Sequence, residues 1–237
     1  MSFDSLFTLI LGVLLVVVFP LLGARDFRVL LRRTSEGDAN ARVEFYKGIL
    51  MWHWPLTMGL LGWWLLSGNT LASVGLVPVV ERSQWVTIGI GAIVMAAQVG
   101  YLAMASRDSD KLSAIKEQMG ETFSLAPQTP RESRLFDMVS ITAGVCEEIL
   151  YRGLLLATLV PLVGTWPAVA ISSLIFGLGH AYQGIAGIVK TGLTGLVLAW
   201  FTVSSGSLFI AMVLHTVVDL TSGRMMGKAA RMTPETA

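Results

Sequence analysis

The chain of 237 residues is 54% hydrophobic and only 14% charged, with a mean hydropathy of +0.67 and a net charge of +1. Soluble domains carry about 25% charged residues, so a soluble enzyme is disfavoured, and the near-neutral balance lacks the basic face that nucleic-acid binding needs. One cysteine, Cys146, excludes an intramolecular disulfide framework and a CxxC-type zinc site.

A membrane-spanning helix needs about 20 mostly apolar residues. Seven stretches meet or approach that length: Phe3–Leu22, Gly48–Leu66, Trp85–Ala105, Leu135–Val160, Trp166–Tyr182, Gly184–Val203 and the short Ser207–Leu220. Uninterrupted runs such as Gly12–Phe19 do not alternate, as strands of a transmembrane barrel would. The first stretch follows Asp4 rather than a basic segment and precedes no clear small-residue cleavage site. It therefore reads as a true span ended by Pro20 and Arg25, not as a signal peptide. Between the third and fourth spans, Ser106–Arg134 holds a polar helical pattern over Lys111–Met119, and then Pro127 and Pro130, which end any helix there. It reads as a solvated connector, or as a gate over a site. Trp52, Trp54, Trp63, Trp64 and Trp85 lie near span ends, as interfacial residues do.

The basic residues fix an orientation. Seven spans put fourteen of them on one side: six from Arg25 to Lys47, five from Arg107 to Arg134, and Arg224, Lys228 and Arg231 in the tail. Arg82 stands alone on the other side. By the positive-inside rule the rich side is cytoplasmic, the N-terminus outside and the C-terminus inside. The expected fold is an all-α, polytopic transmembrane bundle in one integral membrane domain. Residues 1–134 form three spans with loops, 135–223 a core and 224–237 a cytoplasmic tail, in a bacterial-type inner membrane.

Ionisable groups inside spans are costly, at about 2.5–3.5 kcal/mol each. The first three spans hold only His53 well inside an end, and with no acidic neighbour in sequence it reads as interfacial. The last four hold Glu147, Glu148 and Arg152, then His180, Lys190, His215 and Asp219. Sharing one interior site satisfies such groups more cheaply than lipid does. Glu148 and Arg152 are four apart and can pair on one face. Glu147 points about 100° away and has no local cation, which keeps a carboxylate available as a base. His215 and Asp219 repeat the spacing, so the aspartate can orient the imidazole. In the seven-span topology Glu147, His180, His215 and Asp219 all fall in the cytoplasmic half, Glu147 roughly 15–18 Å deep. Lys190 can snorkel to the surface. Cys146 has no base one turn away and reads as core. Gly177, Gly179, Gly184, Gly187, Gly192 and Gly195 read as close helix packing.

Three motifs emerge in order: Glu147-Glu148-x-x-x-Arg152 (EEILYR), Phe176-x-x-x-His180 (FGLGH) and His215-x-x-x-Asp219 (HTVVD). They resemble those of the CPBP intramembrane protease family, also called Abi or type II CAAX prenyl proteases, over about Leu135–Gly223. The resemblance implies an endopeptidase in which Glu147 and His180 activate a water. It further implies that Glu148 and Arg152 hold the site and that His215 and Asp219 stabilise the oxyanion. Prenyl-processing eukaryotic members generally carry asparagine where Asp219 stands; bacterial-type members often carry aspartate. The implied partners are the bilayer and a peptide or protein substrate, prenylated or a peptide precursor, with no cofactor. A zinc site built from the same histidines and carboxylates is the mechanistic rival, although HExxH is absent and Arg152 would compete with a cation. A proton-coupled transporter and a non-catalytic membrane partner are the readings from other classes.

Overall fold

The structure is a computed structural model that describes residues 3–78 and 84–232. Arg82 and the last five residues of the expected tail lie outside the described residues. Among those described there is no strand. The chain runs through α1 (Phe3–Val13), α2 (Phe19–Ser35), α3 (Ala41–Leu66), α4 (Gln84–Ala105), α5 (Ser109–Met119), α6 (Pro130–Glu147), α7 (Leu156–Val163), α8 (Thr165–Gly179), α9 (Gly184–Ser205) and α10 (Phe209–Ala230). The continuous helix Leu6–Ser35, Gln84–Ala105 and Ala181–Ser205 are long and apolar enough to cross a membrane, and α8 is a shorter apolar helix.

The first helix corrects an expectation. It does not end at Pro20 or Arg25 but continues to Ser35, through a π-helical turn at Leu14–Val18. Pro20 has no N–H to give the preceding turn. The wider i→i+5 turn just before it rearranges those bonds, so the helix passes. Arg25, Arg28 and Arg32 therefore stand exposed on a helix whose other face buries Phe27 and Leu30 against Ala41.

The start of α6 is set by its cap. Thr129 accepts from Glu132 N–H, the Glu132 carboxylate accepts back from Thr129 N–H, and Pro130 occupies the first turn. This capping box starts the helix five residues before the apolar run. The connector before it is docked. Its helix, α5, spans Ser109–Met119 and is capped by Asp108. Bonding to the Lys111 N–H holds the Asp108 carboxyl below the usual carboxylate range. Arg42 Nε donates to the Ser124 carbonyl (2.9 Å), Tyr46 Oη to that of Leu125 (2.6 Å), and Lys228 to that of Ser106.

The N-terminal helices pack directly on the motif helices. Phe7, Leu11 and Leu15 share one core with Leu60 and Leu61 of α3, with Leu150 and Leu154, and with Phe176 and Met212. Trp63 and Trp64 close on Phe7 at 5.5 and 5.4 Å instead of serving only as belt residues, while Trp52 and Trp85 stay exposed. Glycines set two close crossings. A Cβ on Gly177 would meet the Ile188 carbonyl of α9 at 2.6 Å, and one on Gly144 would meet the Met212 carbonyl of α10 at 3.1 Å. Gly184, in contrast, has open space beside it and a φ of 76°, so it serves a turn rather than packing.

Candidate active site

The first motif lies in a local departure from α-helix. Glu148–Leu155, between α6 and α7, is π-helical. Such turns loosen the backbone register and recur at functional sites. One backbone acceptor of this stretch, the Tyr151 carbonyl, is taken by Ser172 Oγ of α8 at 2.9 Å. Every residue of the stretch is buried.

Inside it sits a closely bonded knot. Arg152 Nη1 donates to Glu148 Oε1 at 2.9 Å, and both side chains are wholly buried. The same oxygen accepts from His215 Nδ1 at 2.8 Å. The Arg152 guanidinium lies 4.1 Å from the ring centroid of Phe176, a stacked cation–π contact. Phe176 also meets His180 edge-on at 4.9 Å and His215 at 5.8 Å. Phe176 is thus a hub for three site residues, a role its place one turn before His180 only hinted at. Gly195 of α9 makes room: a Cβ there would come within 2.9 Å of Arg152 Nη2 and 3.2 Å of the Phe176 ring. Arg152 Nε and Nη2, and Glu148 Oε2, are buried without a hydrogen-bond partner among the described residues.

Glu147 faces a looser arrangement. Its Oε2 stands 3.9 Å from His215 Nε2, and Asp219 Oδ2 stands 3.7 Å from that same nitrogen. These spacings exceed hydrogen-bond length. Glu147 Oε2 is buried and has no hydrogen-bond partner among the described residues. The side chain of Asp219 is 36% exposed and that of Glu147 14%, so the cluster opens on the Asp219 side. His180 caps α8; its Nδ1 donates to the Phe176 carbonyl at 2.9 Å, leaving Nε2 free of that bond. It is within electrostatic reach of both Glu147 and Asp219.

Two sequence readings change. The group that fixes the His215 ring through Nδ1 is Glu148, from another helix, whereas Asp219 sits opposite at Nε2. And Glu147 does not lack a basic neighbour: His53 Nε2 of α3 lies 3.7 Å from Glu147 Oε1. His53 is therefore not merely interfacial. The available signal was its status as the lone titratable group well inside the first three spans; its partner, 94 positions away, had no sequence signature. Cys146 is buried and Lys190 exposed, as expected.

Residues 134–221 match the family model described as Rce1-like, type II CAAX prenyl endopeptidase Rce1-like. The match supports the CPBP/CAAX protease family. The matched segment runs from α6 to α10 and holds all three motifs, while His53 lies outside it. The Rce1-like family implies a protease with a peptide or protein substrate, and the apolar helices agree with a membrane protein. No curated protein and no solved structure matches the chain.

Proposed function

We propose that the chain is an intramembrane endopeptidase in which Glu147 and His180 activate a water to hydrolyse a peptide bond. The observation that carries this reading is the convergence of three family motifs, far apart in sequence, on one buried cluster around Glu147 and His215. In the proposed step Glu147 takes a proton as the water oxygen attacks the scissile carbonyl carbon. The C–N bond then breaks, and the proton taken by Glu147 passes through His180 to the leaving amine. General acid–base groups contribute about 10²–10⁴-fold when so placed. His215, held by Glu148, and a protonated Asp219 meet the charge developing on the carbonyl oxygen. Such donors are worth about 2.7–4 kcal/mol each in known proteases. The proposed chemistry uses protein groups alone.

The proposed topology has seven spans, with the N-terminus outside and the cluster opening toward the cytoplasm. The fourteen-to-one basic asymmetry supports it. A reporter fused after Ala237 is expected to read cytoplasmic; an external reading overturns both the orientation and the direction of access. The function is tested by comparing membrane peptides from cells carrying the wild-type chain and Glu147→Ala. Cleavage products present with the first and missing with the second support it. Identical peptide sets contradict it.

A further inference from the structure

The chain contains three histidines, and two of them, His53 and His215, face the Glu147 carboxylate. His180 and His215 belong to the family motifs. The third, His53, comes from α3, outside the matched segment. Its Nδ1 is 3.0 Å from the Ile49 carbonyl oxygen one turn back. A carbonyl only accepts, so Nδ1 carries a proton and Nε2 is the nitrogen turned to Glu147. The ring is four-fifths buried, and Phe19 of α2 packs beside it at 6.0 Å. Its orientation is thus set from both ends.

We infer that His53 is a positioning residue for Glu147, holding the Oε1 side of its carboxylate so that the group keeps one orientation toward the cluster. The inference rests on the reading of Glu147 as the base. The two carboxylate oxygens have different surroundings. Oε1 faces His53 Nε2 at 3.7 Å, while Oε2 is buried, faces His215 Nε2 at 3.9 Å and has no hydrogen-bond partner among the described residues. A neutral imidazole would set the Nε2 lone pair against a carboxylate oxygen, and two acceptors repel. One proton in the gap removes the conflict, as imidazolium against carboxylate or as carboxyl against lone pair. Either way the two groups attract across the 3.7 Å gap, and the carboxylate is held in one orientation. Without His53 only the His215 contact at 3.9 Å restrains it. A misplacement of about 1 Å can cost about a hundredfold in rate.

The test combines kinetics with a readout that needs no turnover. The full chain in detergent is prepared as wild type, His53→Ala and His53→Gln, each also in a Glu147→Gln background. Thermal unfolding selects the folded preparations. Infrared difference spectra against Glu147→Gln isolate the Glu147 carboxyl band. His53→Ala is expected to move that band and leave the spectrum of the Glu147→Gln background unchanged. On a peptide that the wild type cleaves, it should lower kcat about ten- to a hundredfold with KM nearly constant. His53→Gln, whose amide can still donate to Oε1, should recover most of kcat. An unmoved band overturns the inference, and so does a kcat within twofold of wild type. Equal loss in His53→Ala and His53→Gln without a band shift also overturns it, by assigning His53 to packing. If the wild type cleaves no peptide in any format, the protease reading falls, and the infrared band still decides whether His53 holds Glu147.

Discussion

Two adjacent glutamates live in opposite surroundings. Glu148 is wholly buried, and its Oε1 takes hydrogen bonds of 2.8 and 2.9 Å from His215 and Arg152. Glu147 is partly open, and its basic neighbours stand 3.7 and 3.9 Å away. The first arrangement is closed and rigid. The second is looser and opens on the Asp219 side. In the proposed mechanism this contrast divides the motif's work: one carboxylate builds the wall and the other faces the reaction. The wall reaches the reaction through His215, whose Nδ1 belongs to Glu148 and whose Nε2 faces Glu147 and Asp219.

Ways to break this contrast follow in order of size. On the open side, His180→Ala should lower kcat about 10²–10⁴-fold while thermal unfolding stays near wild type; a loss of fold instead of rate would move His180 into the wall. On the closed side, Arg152→Met removes the cation and leaves Glu148 buried with His215 as its one donor. Breaking a buried pair in this way costs about 3–5 kcal/mol, read as a large drop in unfolding temperature in detergent. Retained stability would show that the knot does not hold the bundle. The smallest change sharpens the comparison. Gly195→Ala inserts a methyl against Arg152 and the Phe176 ring, and overpacking of this kind costs about 1–3 kcal/mol. It should cost stability while leaving the Glu147 carboxyl band in place, because it strikes the wall alone.

Much of this was legible in the sequence. Spacing alone paired Glu148 with Arg152, because residues four apart share a helix face even where the turn widens to π. Runs of apolar residues located the helices, and the glycines at 177 and 195 marked close approaches. What escaped has physical causes. Pro20 appeared to stop the first helix because a widened turn just before it leaves no mark in composition. The partner of His215 was assigned to Asp219, one turn away, since a contact with Glu148 across α6 and α10 depends on how closely Gly144 lets those helices approach. His53 was unreadable for the same reason: its carboxylate lies on a different helix, and only packing of α3 against α6 brings the two together.

The central claim is that Glu147 is the base and that protein groups suffice for the chemistry. The most direct measurement is hydrolysis of a membrane peptide by purified protein after stringent metal depletion, with Glu147→Gln alongside. The account predicts that the depleted wild type keeps its rate and that Glu147→Gln, folded and of nearly the same shape, loses activity by orders of magnitude. A depleted wild type that is inactive until zinc is restored, beside a Glu147→Gln variant that keeps most of its activity, would contradict it.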